Sequence, residues 1–271
     1  MARRRFALSR QRRCEVSSRR ADISPEQAAS LSRPPKPDLT SIDLFLDFDG
    51  TLVDLIDRPD EVIADPELRD LLDRLNARLN GRLAVISGRS RAQLDTILGP
   101  VAQSIALSGS HGSEHRWDGV SAQPRRPSAL DEAAVRLRPF VDGHPGMLLE
   151  EKTFGVALHY RQCPDAERLA LEQAGNLAAE LDLHLQNGKM MVELRAPGDK
   201  GLAVRQLMRQ PFMQGSVPIF VGDDRTDEAA FEAVAELGGH GILVGPAHKT
   251  AAAFRLRDPA AVRAWLQEAL A

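Results

Sequence analysis

The stretch FLDFDGTLVD, residues 45–54, sets two aspartates one residue apart at the end of an apolar run and follows them with Gly-Thr. The run that leads in, IDLFLDF, reads as a strand buried on both faces, so Asp47 and Asp49 stand at its carboxyl end. In open parallel sheets that edge is where sites form. Alternate residues share a face, so both carboxylates can address one pocket. Two adjacent carboxylates repel unless a cation or a shared proton intervenes. Taken alone, an Asp-x-Asp pair can equally be a turn and a helix cap.

The surrounding pattern supports a parallel sheet. PELRDLLDRLNARLN repeats leucine at 68, 71, 72, 75 and 79, which is helical spacing, and GRLAVIS is again a strand. RAQLDTILG gives a helix ending at Gly99 and SIALSG a third strand, so residues 42–110 follow βαβ grammar. The middle changes character: a helix, paired short strands around GMLLEEK and GVALHYR, another helix, then LHLQNG and KMMVELR. Residues 118–196 are therefore expected to form an inserted α+β unit with an open-faced antiparallel sheet. GDKGLAVRQLM, SVPIFVGDD, TDEAAFEAVAEL and GHGILVG then resume the first grammar. The expected fold class is α/β, a Rossmann-like core formed by 41–117 and 197–271 with the cap at 118–196.

Composition bounds the rest. The 271 residues, 43% hydrophobic, suffice for a substantial core. No apolar run reaches membrane-spanning length and none reads as a secretory signal, which points to a cytoplasmic protein with no membrane partner. Cys14 and Cys163 show no metal-ligand spacing and predict no disulfide framework. Residues 1–40 hold ten Lys and Arg against four Asp and Glu, whereas the remainder holds 25 against 34. This Arg-rich, Pro-containing stretch is expected to be a disordered leader. Docking to a partner and an organellar address are the alternatives; without interleaved aromatics, no nucleic-acid partner is expected.

Further acidic and phosphoryl-binding residues follow other strands. VGDDRTDE offers Asp223, Asp224 and Asp227 past an apolar run, LAVISGR offers Ser87 beside Gly88 and Arg89, and GDKG puts Lys200 at a helix start. A strand-terminal hydroxyl, a lysine and two acidic corners suit a phosphoryl group, supplying donors for its oxygens, a place for a cation, a nucleophile and an acid. A hard divalent ion such as Mg²⁺ prefers one or two carboxylates together with water and phosphate oxygens.

These motifs resemble the haloacid dehalogenase superfamily of phosphotransferases: Asp-x-Asp-Gly-Thr at 47–51, the strand-terminal Ser87, Lys200, and Gly-Asp-Asp-x-x-Asp at 222–227. The resemblance implies that Asp47 attacks phosphorus and becomes an aspartyl phosphate, that Asp49 acts as acid and then base, and that Ser87 and Lys200 belong to the catalytic set. It also implies Mg²⁺ held by Asp47, the backbone carbonyl of Asp49, and Asp223. Asp224 and Asp227 would orient this set, with helix capping the alternative for Asp227. For Thr51, a phosphate contact and a turn cap stand side by side.

LLEEKTFGVALHYR and NGKMMVELRAPGDKG, with LSGSHG at 107–112, resemble the trehalose-6-phosphate phosphatases. By that resemblance Glu150, Lys152, Arg161, Lys189 and Glu193 would face a sugar phosphate from the cap side. Arg89 and His111 would reach sugar or phosphate or support the loop, and His159 would be a packed or hydrogen-bonded strand residue. A buried sugar hydroxyl left unmatched costs about 1–3 kcal/mol, so specificity is expected to reside in the cap. The implied activity is Mg²⁺-dependent hydrolysis of trehalose 6-phosphate, the last step of trehalose biosynthesis, with a trehalose-6-phosphate synthase as candidate protein partner. Other sugar phosphatases (sucrose-phosphate or mannosyl-phosphoglycerate type), a phosphomutase and a non-catalytic sugar-phosphate sensor are the alternatives.

Overall fold

The computed structural model describes residues 22–56, 61–117, 120–122, 126–188, 190–196 and 198–271. The aspartate-bearing run forms β1 (Ile42–Leu46), every residue of which is buried, as an apolar run in the middle of a sheet requires. It pairs in parallel with β2 (Leu83–Ile86) on one side and β10 (Val217–Gly222) on the other. β3 (Ala106–Gly109) extends the sheet beyond β2, and β11 (His240–Val244) and β12 (Phe254–Leu256) extend it beyond β10, all in parallel. An antiparallel ribbon of β4 (Glu114–Trp117) and β5 (Val120–Ala122) completes the β3 edge. The order is β12-β11-β10-β1-β2-β3-β4-β5.

Helices cover both faces. The leucine stripe forms α2 (Pro66–Arg78), started by Asp65, whose side chain accepts from Leu68 N, and by Pro66 in the first turn. Its Leu68, Leu71, Leu72 and Leu75 pack with Leu44, Leu46 and Trp265, the last on α8 (Pro259–Leu270). α3 (Arg91–Leu98) joins this layer behind a Ser90–Gln93 capping box. On the opposite face α6 (Lys200–Leu207) and α7 (Glu228–Glu236) close over Phe45 and Phe220.

The inserted unit holds α4 (Ser128–Asp142), β6 (Leu148–Lys152), β7 (Gly155–His159), α5 (Glu167–Leu181), β8 (His184–Gly188) and β9 (Met191–Arg195). Its antiparallel sheet runs β6-β7-β9-β8. Val156, Leu158, Val192 and Leu194 pack against α4 and α5. By alternation the opposite face is open, and the register places Glu150, Ala157, Glu193 and Gln186 in one row across it. The next row holds Lys152, Gly155, Arg195 and His184.

Two expectations need correction. A disordered leader does not extend to residue 40. α1 (Pro25–Ala29) carries a full capping box, Ile23 pairs with Thr250, Arg255 N donates to Ser32 O, and the indole Nε1 of Trp265 donates to Pro35 O at 2.8 Å. A buried indole needs an acceptor, and this segment supplies it. Residues 1–21 lie outside the described residues. The cap does not begin at 118 either, because β5 pairs with β4 on the edge of the large sheet, so the chain crosses into the cap after residue 122.

Asp43 is wholly buried on β1, and neither carboxylate oxygen has a hydrogen-bond partner among the described residues. Burial, opposed by Arg82, pushes its pKa up to about 7 from the ordinary 3.8. The folded state thus binds this proton more tightly than the unfolded chain, so the contribution to stability is fullest below pH 3.8 and is lost as pH rises through about 7. The loss is about 4 kcal/mol. Asp43→Asn should flatten this slope in urea unfolding compared across that window; an unchanged slope would contradict the account.

Candidate active site

The chain turns sharply after β1. Asp47 N continues the ladder by donating to Val221 O at 2.9 Å, and Gly50, at φ 76°, then reverses the backbone. A Cβ on Gly50 would lie 2.1 Å from Asp223 Oδ2, so only glycine lets the two acidic corners approach this closely. Asp47, Asp223 and Asp227 each present an oxygen within 4.8 Å of the others. Between them sits Lys200, 3% exposed at the first position of α6, where Asp199 caps the helix. Its Nζ donates to Asp47 Oδ1 at 2.8 Å and to Asp227 Oδ1 at 2.6 Å. Asp227 is fully engaged, since its Oδ2 accepts from the amides of Asp223 and Asp224 at 2.9 and 3.1 Å.

One ammonium among these carboxylates leaves surplus negative charge. Burial pushes Asp47 well up against the pull of Lys200. Burial, with Asp227 and Asp224 adding to it, raises Asp223 to about 6. Burial alone would lower the pKa of Lys200, but Asp227 and Asp47 outweigh it and raise the value, so the lysine stays charged. An all-oxygen donor set with excess negative charge fits a hard divalent cation, to which Asp47, Asp223 and Asp227 can each offer an oxygen. Asp227 appears in the same cluster, but its bonds make it the holder of Lys200 and of the amides of the Asp223–Asp224 corner.

The remaining core residues form the facing wall. Ser87, just past β2, is buried, and its Oγ accepts from Arg89 N at 3.2 Å. The Arg89 guanidinium grips Asp49 with Nε at 2.7 Å from Oδ2 and Nη2 at 2.6 Å from Oδ1. Ser110 and His111 are consecutive non-glycine residues with φ 50° and 54°, a strained pair. The strain is held by Ser110 N→Arg89 O and His111 N→Ser87 O bonds and by Glu114, which accepts from Ser110 Oγ at 2.7 Å and Arg91 N at 3.1 Å. The His111 ring lies where a side chain at Gly88 would clash. Burial, with Arg195 and Lys200 adding to it, lowers its pKa to about 4 and keeps it neutral.

Asp224 caps the turn that follows, accepting from Thr226 N at 2.8 Å and Thr226 Oγ1 at 2.7 Å. The Thr51 hydroxyl is buried with no hydrogen-bond partner among the described residues, so it does not cap its turn.

A cleft of about 880 Å³ opens between this wall and the open face of the cap sheet. Asp47, Asp49, Ser87, Arg89, His111, Lys200, Asp223 and Asp224 line it from the core, and Lys152 and Glu193 line it from the cap, paired at 3.2 Å. Glu150 does not line it; its carboxylate binds His159 Nε2 at 2.8 Å. Arg161 is exposed and lies apart from the cleft lining, and Lys189 falls outside the described residues. Arg195, which the sequence expectations omit, reaches from β9 into the core, 3.4 Å from both Gly88 O and His111 Nε2, and bonds Gln186 at 2.7 Å. Its signal was present in the ELR of KMMVELR, where strand alternation puts it on the face of Glu193. Gln186 shares a row with Glu193, whereas Phe154, also in the lining, carries no sequence signal.

The trehalose-phosphatase family model matches residues 45–260, spanning both core segments and the cap. The chain belongs to the trehalose-phosphatase family. It is 40% identical over 214 residues to a probable trehalose-phosphate phosphatase of Sinorhizobium fredii, covering 77% of this chain and 80% of that protein. It is 35% identical over 227 residues to trehalose-6-phosphate phosphatase of Escherichia coli, covering 82% and 84%. The solved structure of a trehalose-6-phosphate phosphatase related protein superposes with a TM-score of 0.62 at 29% identity, covering 84% of this chain and 96% of that one. Membership makes the chain a phosphatase of the hydrolase class with a haloacid dehalogenase-type fold. Among the described residues no helix is long and apolar enough to cross a membrane.

Removing the buried cation leaves Asp47 and Asp227 facing each other uncompensated. Lys200→Met, similar in volume, should therefore cost about 3–5 kcal/mol in denaturant unfolding. A loss under about 1 kcal/mol would show that the carboxylates tolerate each other without the lysine.

Proposed function

We propose that the chain hydrolyses trehalose 6-phosphate to trehalose and phosphate. The observation that carries the reading is the shared cleft: Asp47, buried against Lys200, faces a cap wall that presents Lys152, Glu193 and Arg195, donors and acceptors suited to sugar hydroxyls. The family and the names of the relatives support the same substrate.

In this reading an Asp47 oxygen attacks phosphorus and the ester P–O bond breaks as the aspartyl P–O bond forms. The departing sugar oxygen takes a proton from Asp49 and leaves as the alcohol. A water then attacks phosphorus and gives its proton to Asp49, and the bond to Asp47 breaks, returning the carboxylate and releasing phosphate. Ser87 and Lys200 offer donors to the phosphoryl oxygens, and Asp227 keeps Lys200 aimed at them. Asp47, Asp223 and the backbone carbonyl of Asp49 would hold Mg²⁺. That ion supplies charge neutralisation that lets an anionic nucleophile approach an anionic ester.

Burial of the two-carbohydrate substrate rests on Lys152, Glu193 and Arg195, with His111 supporting Arg195 from the core. The reading includes a cytoplasmic location, in keeping with a charged disaccharide phosphate that does not cross membranes unaided, and a synthase supplying that ester as candidate partner.

Phosphate release from trehalose 6-phosphate, sucrose 6-phosphate and glucose 6-phosphate, each with and without Mg²⁺, tests the reading. The expected result is Mg²⁺-dependent turnover with kcat/KM for trehalose 6-phosphate at least about 100-fold above the others, the discrimination that polar groups left unmatched in a buried site produce. Preference for another ester would overturn the cap assignment, and binding without turnover would overturn the reaction.

A further inference from the structure

Arg89 was expected to touch substrate or support its loop, yet its guanidinium is committed to Asp49. Both carboxylate oxygens are taken, at 2.7 and 2.6 Å, in a fork-to-fork pair. The arginine side chain is 9% exposed and the aspartate 28%. The arginine itself is fixed from three sides: its amide donates to Ser87 Oγ, its carbonyl accepts from Ser110 N at 2.7 Å, and its guanidinium lies 6.0 Å over the Phe48 ring. Asp49, by contrast, stands on the turn after β1, and this fork is what holds its carboxylate.

We infer that Arg89 is a positioning residue that acts through Asp49, holding its carboxylate beside the phosphoryl site for both proton transfers. The inference rests on the proposed roles of Asp47 and Asp49. Proton donation to the leaving sugar oxygen requires one Asp49 oxygen to be released from the fork and carry the proton, while the other keeps the side chain in place. In the second half-reaction the deprotonated carboxylate accepts the water proton on the released oxygen, which restores the acid form that began the cycle while the other oxygen stays on Arg89. The Ser110–His111 strain and the Glu114 bonds that hold it then gain a purpose, since Ser110 N fixes the Arg89 carbonyl and thereby the fork. Lysine could replace the charge but not the planar two-point grip.

The test measures Arg89→Ala and Arg89→Lys, alone and in an Asp49→Asn background, on trehalose 6-phosphate and on nitrophenyl phosphate, whose leaving group needs no proton. For trehalose 6-phosphate, Arg89→Ala should lower kcat about 10-fold to 100-fold, the scale of a mispositioned reacting group, with KM nearly unchanged. Arg89→Lys should recover part of kcat. With nitrophenyl phosphate, Arg89→Ala should give a first turnover near the wild-type rate and then slow steady release, because only hydrolysis of the aspartyl phosphate still needs Asp49. In the Asp49→Asn background, Arg89→Ala should cause no further loss.

A raised KM with unchanged kcat would make Arg89 a substrate contact and overturn the inference. So would an Arg89→Ala loss that persists undiminished without Asp49. Should Asp49→Asn itself leave both turnovers intact, the assignment of Asp49 fails, and this inference with it. A normal Asp49→Asn loss beside an unaffected Arg89→Ala and Arg89→Lys overturns this inference alone. Arg89→Lys keeps the charge, so the test still reads out if Arg89→Ala does not fold.

Discussion

The buried ammonium of Lys200 is the constraint around which the site is organised. Three chain segments far apart in sequence meet on it: the corner after β1, the first turn of α6, and the turn after β10. Without a cation between them, Asp47 and Asp227 could not both be buried as charges. Asp227 also binds the amides of Asp223 and Asp224, so the position of the lysine and the shape of the second acidic corner are set by one carboxylate. The glycines follow from this crowding: Gly50 makes room for Asp223, and Gly198 makes room for His111. What Lys200 leaves uncompensated is the negative charge of Asp47 and Asp223, which is why the same cluster suits a hard divalent ion.

A core of this type can bring a nucleophile to phosphorus but has little with which to recognise an alcohol. In the proposed function the cap sheet supplies that half. Its apolar face is spent on α4 and α5, so alternation leaves a polar face open toward the aspartates. Arg195 bridges the two halves, touching Gly88 and His111 in the core while standing beside Gln186 in the cap. In the proposed function, substrate recognition and phosphoryl chemistry are thus joined at one strand end.

The parallel core, the antiparallel insertion and the aspartate corners were legible because each rests on local grammar: a buried run, a leucine stripe, a strand followed by acid. The family resemblance of the cap motifs likewise named Lys152 and Glu193. A shared motif, however, does not say which of its side chains reach the cleft. Glu150 shares the face of Lys152 and the row of Glu193, yet its carboxylate is bonded to His159 and stays out of the lining, and Arg161 lies past the end of β7. The 22–40 segment was illegible because its anchor, Trp265, is 230 residues away and its own composition reads as linker. The Arg89–Asp49 pair was illegible for a related reason, since Asp49 reads as an acid and base and Arg89 as a substrate contact or loop support, and only geometry shows them paired with each other.

The central claim, that Asp47 is the carboxylate that attacks phosphorus and carries the phosphoryl group, is tested most directly by trapping the intermediate. Asp49→Asn, which lacks the base for the second step, would be mixed with Mg²⁺ and nitrophenyl phosphate, whose leaving group needs no acid in the first step, quenched in acid and digested, and the peptide carrying Asp47 weighed. The account predicts a phosphoryl mass increment on that peptide, located to Asp47 and absent in Asp47→Asn. Phosphate release by Asp47→Asn at a rate near wild type, or an increment located on another residue, would contradict it.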